Sequence, residues 1–153
     1  MIRSILLGAV AGARSMTPLA AVSAAAATGR LPQDNGAPAL LGHPAVVAGT
    51  AAMAASELAG DKMPSARDRI VIAGLAARLV TGAVAGVALA PRDQRLLAGA
   101  LGAAAAVAAS YLTFDLRMRA LRRWGQTPSG LAEDALVLGA TALIVGGAVR
   151  SDP

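Results

Sequence analysis

Five apolar runs, separated by short polar or proline-bearing connections, set the pattern of this 153-residue chain. They are Ser4 to Ala27, Ala39 to Gly60, Ile70 to Ala90, Leu96 to Phe114, and a last run from Thr127 to about Val149. The first is 24 residues long, enough at about 1.5 Å per residue to cross about 30 Å of hydrocarbon. The fourth holds 19 residues without a charge. The connections carry turn chemistry: Pro32 with Asn35-Gly36, then Lys62, Pro64, Arg67, Asp68 and Arg69, then Pro91-Arg92-Asp93. Ser65 with Asp68 resembles a capping box, and Thr127 before Pro128 reads as an N-cap with a first-turn proline. The pattern predicts an all-α protein, a polytopic transmembrane helix bundle of about five spans forming a single transmembrane domain over residues 1–153.

Composition agrees with that pattern. The chain is 56% hydrophobic and 15% charged, with a mean hydropathy of +0.58, whereas soluble domains carry charge on about a quarter of their residues. Aromatics are only 2%, so the apolar mass is Ala, Leu, Val and Gly, the small residues that let membrane helices approach closely. A formal charge of +5 does not imply nucleic acid, because the arginines punctuate apolar runs instead of forming a patch on a soluble face. With no cysteine there is neither a disulfide framework nor a thiolate site. A secretory signal peptide is disfavoured, since Arg14 interrupts the apolar core it would need.

Placing the N-terminus in the cytoplasm puts eight basic residues there, Arg3, Lys62, Arg67, Arg69, Arg117, Arg119, Arg122 and Arg123, against four outside. The positive-inside rule therefore favours a cytoplasmic N-terminus. Arg117 to Trp124 reads as a basic interfacial anchor with Trp124 at headgroup depth, and His43, beside Pro44, as an interfacial residue and not a ligand.

An internal repeat is suggested by Arg14, Thr17 and Pro18 aligning with Arg78, Thr81 and Gly82, and by Ala54 to Asp61 aligning with Ala108 to Asp115. These correspondences describe two tandem two-helix hairpins of like orientation plus a fifth helix, one way in which transporters are built. Arg14 and Arg78 each lie inside an apolar run, where a charge costs about 2.5–3.5 kcal/mol on insertion scales. They must face the interior, and Glu57, Asp61, Asp115, Glu133 and Asp134 are the carboxylates available to them. Glu57 and Asp61 share a helix face, as do Tyr111 and Asp115. Pro18, one turn beyond Arg14, is placed to kink or break the first helix. Gly8-x-x-x-Gly12 and Gly82-x-x-x-Gly86 signal close helix packing.

The stretches GARSMTPLAAVS (Gly12 to Ser23) and ELAGDKMP (Glu57 to Pro64) resemble the bacterial membrane-protein family known as domain of unknown function 4126. The Glu57, Asp61, Lys62 and Pro64 pattern carries most of that resemblance. It implies an integral protein of the bacterial inner membrane and brings no activity with it.

Together these features lead to the expectation of a small transporter or channel-like protein for an anion or ion-coupled solute, working through a polar intramembrane cavity. Its binding or transport residues are expected to be Arg14, Thr17, Pro18, Glu57, Asp61, Lys62, Arg78, Thr81, Tyr111 and Asp115. No catalytic residue, metal site or cofactor is expected, and the expected partners are the lipid bilayer, a second copy in a homo-oligomer and a small anionic solute, not nucleic acid. Two alternatives share these residues: a structural or assembly protein with buried ion pairs, and a membrane enzyme acting on a lipid phosphate.

Overall fold

The computed structural model of the chain describes residues 1–60 and 72–150, apart from the Arg150 side chain. The described residues form an all-α bundle: α1 (Ile2–Ala13), α2 (Met16–Ala27), α3 (Pro44–Gly60), α4 (Ile72–Ala88), α5 (Arg95–Trp124) and α6 (Gln126–Arg150), with short 3-10 turns at Ala39–Gly42 and Arg92–Gln94. Each of the five apolar runs is helical over most of its described residues, but the first is two helices and not one continuous span. Arg14 is extended, at φ −139 and ψ 109, and the helix restarts at Met16. The cause is Pro18, which has no N–H for a helix running through Arg14. Interrupting the chain at Arg14 and Ser15 places the proline in a first turn, where the N–H has no intrahelical partner to lose.

The other boundaries follow local chemistry. α2 ends in a Schellman motif: Gly29 takes φ 64, and the N–H groups of Gly29 and Arg30 reach back to Ala26 and Ala25 at 3.2 and 2.8 Å. His43 starts α3, its Nδ1 accepting the Ala45 N–H at 3.3 Å. The apolar run ending at Phe114 continues as helix to Trp124, and a single residue, Gly125 at φ 81, turns the chain into α6. Ser65 and Asp68, read above as a capping box, lie outside the described residues.

α5 is the centre of the packing, with α1 and α4 against it and against each other. Glycine makes this possible. A Cβ on Gly8 would collide with the backbone of Gly102, and one on Gly12 would lie 2.7 Å from the Ala109 Cβ. From the other side, a Cβ on Gly82 would lie 2.8 Å from the Gly102 carbonyl, and one on Gly86 would lie 2.6 Å from that of Ala98. Both glycine pairs noted in the sequence therefore meet the same stretch of α5, in the close backbone approach that small residues allow. α2, α3 and α6 enclose the remaining side, with an apolar core of Leu7, Val22, Leu41, Leu89 and Val145.

At one end the α2–α3 and α4–α5 connections clasp each other. The Gly36 N–H donates to the Ala90 carbonyl at 2.8 Å, and Arg92 Nε donates to the Asn35 carbonyl at 3.1 Å. The loops of the two expected hairpins thus lie together. The helices before them differ, because the chain breaks at Arg14 whereas α4 runs straight through Arg78. Among the described residues two helices are long and apolar enough to cross a membrane, α5 with its preceding turn and α6; α1, α2 and α4 are shorter apolar helices.

Candidate functional site

The break between α1 and α2 assembles a buried polar cluster. Arg14 has no solvent exposure. Its guanidinium forms an ion pair with Asp134 of α6, itself buried, and donates a 3.0 Å hydrogen bond to the backbone carbonyl of Glu57 on α3. One side chain thus ties together the end of α1, the last turn of α3 and the third turn of α6.

Glu57 makes the reciprocal connection. Its Oε1 accepts the Ser15 N–H at 3.0 Å and the Ser15 hydroxyl at 3.1 Å, while Oε2 accepts the Met16 N–H at 2.9 Å. Ser15 makes no side-chain cap to its own helix, so the carboxylate of a distant residue does what an N-cap side chain ordinarily does. A carboxylate also suits the partial positive charge at a helix N-terminus. The cluster therefore holds one guanidinium, two carboxylates and a helix end, each neutralised by another.

The remaining residues singled out by the sequence fall into three groups. Thr17 and Pro18 are buried in the first turn of α2, directly after the break. Arg78 and Thr81 are buried on α4, where the Thr81 hydroxyl donates to the Arg78 carbonyl at 3.3 Å. Tyr111 and Asp115 lie outside the cluster, being 51% exposed in the case of Tyr111, and Asp115 pairs at 2.6 Å with Arg119 on the surface of α5. The reason is rotational: Gly99, Gly102, Ala106 and Ser110 form the buried face of α5, and Tyr111 and Asp115 project from its outer side. Asp61 and Lys62 lie outside the described residues.

Two residues of the site went unselected at the sequence level. Ser15 gave no signal beyond its place before Pro18. Asp134 stood among the five carboxylates available to Arg14 but was not singled out as a site residue. Its neighbour Glu133 pairs with Arg117 of α5 at 2.8 Å.

A cavity of about 340 Å³ adjoins the cluster between α2, α3 and α6, lined by Thr17, Ala21, Ala54, Leu58, Leu138 and Thr141. Two of its lining residues, Thr17 and Leu58, are the chain neighbours of Met16 and Glu57 in the cluster. Its walls are apolar throughout, the two threonines presenting carbon to it. Among the described residues no three His, Asp or Glu side chains gather as a metal ion would require.

No curated protein and no solved structure matches the chain. Residues 1–149 match a protein family whose description is a domain of unknown function. With nearly the whole length covered, the chain belongs to that family, DUF4126.

Proposed function

We propose that this is a multi-pass membrane protein in which the helix break at Arg14 is the centre of a proton-coupled pathway for a small anion. The observation that carries the reading is the occupancy of the α2 N-terminus. In many transporters a half-helix N-terminus at mid-membrane receives the anionic group of the substrate. Here the protein's own Glu57 carboxylate sits on that N-terminus, with Arg14 alongside. An entering anion competes with Glu57 for the amides of Ser15 and Met16. Protonation of Glu57 removes the competing charge, so a proton and an anion favour the same open arrangement.

Membrane insertion is supported by the composition, by the two helices of spanning length and by the outer surface of the bundle. Leu96, Leu136 and Leu143 are among the most exposed side chains, an arrangement suited to lipid and costly in water. The bacterial inner membrane and a cytoplasmic N-terminus form part of this reading, resting on the family resemblance and the arginine distribution.

The test is flux in vesicles. Purified protein is reconstituted with a lumenal pH dye and given chloride, phosphate or a short carboxylate under an imposed pH gradient. Anion uptake coupled to proton movement in the native protein, and uptake indifferent to the gradient in Glu57→Gln, support the proposal. Absence of flux for every anion, with Glu57→Gln changing only stability, supports a structural role instead. That second reading has its own observation, since both Glu57 oxygens and the Arg14 guanidinium already have partners within the fold.

A further inference from the structure

A second cavity lies away from the polar cluster, where α5 and α6 part beyond Gly125. The two helices make few contacts with each other, because α5 packs on α1 and α4 whereas α6 packs on α1 and α2. The wedge left between them encloses about 360 Å³ and is lined mainly by carbon, from Ala13, Leu116, Ala120, Leu136 and Val137 to Trp124 at the end where the helices join. The Arg117–Glu133 ion pair bridges the two walls, so these two charges are already neutralised.

The Trp124 end is basic. Arg123 lies over the Trp124 ring, 5.8 Å from its centroid, within the range of a cation–π contact. Arg122 and Arg123 are exposed and form no ion pair among the described residues, unlike Arg119, which Asp115 neutralises. Depth agrees with charge. α5 has 30 residues and is about 45 Å long, about 15 Å more than a hydrocarbon core. The uncharged run of α5 ends at Phe114, so its final turns, with Arg122, Arg123 and Trp124, stand beyond the hydrocarbon and the wedge spans the boundary between acyl chains and headgroups.

We infer that the α5–α6 wedge is a binding site for one anionic glycerophospholipid, an acyl chain lying between Leu116, Ala120, Leu136 and Val137 and the phosphate resting on Arg122 and Arg123. An apolar slot alone would accept any acyl chain. Two arginines without carboxylates, at the Trp124 end of the slot, select a negatively charged headgroup. The inference rests on the membrane reading above and is independent of whether the protein transports anything.

Trp124 is the sole tryptophan and lines the wedge, so its fluorescence reports occupancy directly. Protein is reconstituted in vesicles of unlabelled phosphatidylcholine, and either phosphatidylglycerol or phosphatidylcholine with brominated acyl chains is titrated in. The expected result is a roughly tenfold preference of the quenching site for the anionic lipid. In Arg122→Gln/Arg123→Gln the preference falls to near onefold. In Ala120→Leu/Ala132→Leu, which narrows the wedge, quenching by both lipids weakens. Equal quenching of the native protein by the two lipids overturns the inference, as does a preference that survives the arginine replacements or quenching unchanged in the narrowed wedge. Alkaline carbonate extraction of native membranes separates the two levels: protein retained in the pellet without lipid preference overturns the site alone, and protein released overturns the membrane reading with it.

Discussion

Glu57 and Ser15 are 42 residues apart, yet the Glu57 carboxylate accepts both the backbone N–H and the hydroxyl of Ser15, at 3.0 and 3.1 Å. A helix that restarts in an apolar surrounding has orphaned amide groups that need an acceptor. Glu57 supplies the missing acceptor. Replacement by alanine is expected to cost about 1–3 kcal/mol, the penalty for a buried donor left without a partner. Replacement by glutamine, which retains one carbonyl acceptor but loses the charge, is expected to cost less. Thermal unfolding in a mild detergent, followed by circular dichroism, measures the order.

Arg14 and Asp134 are a buried pair, and removal of either partner leaves the other as an uncompensated charge. Arg14→Met and Asp134→Leu are each expected to destabilise by about 3–5 kcal/mol, whereas the double replacement recovers most of that loss. A double-mutant cycle on unfolding free energy measures the coupling. Additive losses in the cycle would show that the two side chains do not interact in the folded protein.

The glycines divide into two classes. Gly102 lies where α1, α4 and α5 meet, and an added methyl would collide with the Gly82 backbone carbonyl. Gly102→Ala is expected to lose about 1–3 kcal/mol by overpacking. Gly49 and Gly139 are helical and have open space where a Cβ would stand. Alanine at either is expected to be neutral or to stabilise by about 0.4–1 kcal/mol. Melting temperatures of the three single variants test the contrast, and a loss at Gly139 equal to that at Gly102 would mean that α6 has a close neighbour on that face.

Much of this architecture was legible in the chain. The apolar runs located the helices, and Gly8, Gly12, Gly82 and Gly86 marked the close packing, because small residues at four-residue spacing leave a local sequence signal. Pro18 announced the interruption of the first run, but its position was displaced by a turn. A proline is tolerated once it lies within the first turn of a new helix, so the chain breaks ahead of it, at Arg14. The pairing of charges was less legible. Arg14 was identifiable as a residue needing a partner, but five carboxylates were available, and the choice of Asp134 depends on how α6 packs across α1 and α2. Asp115 had the right chemistry and the wrong side of its helix. A short i,i+4 contact with Arg119 suffices for it at the surface.

The central claim is that the helix break borders a cavity open to water and anions, and a thiol scan tests it directly. The absence of native cysteine allows single cysteines at Thr17, Leu58 and Thr141, which line the cavity, with a cysteine at Gln33 in the α2–α3 connection as an accessible control. Labelling of vesicles by a membrane-impermeant thiol reagent is expected at Leu58→Cys and Thr17→Cys, and slows when excess chloride or phosphate competes for the site. A folded protein that labels at Gln33→Cys but at none of the three cavity positions would contradict the account, leaving Arg14, Asp134 and Glu57 as a dry lock between helices.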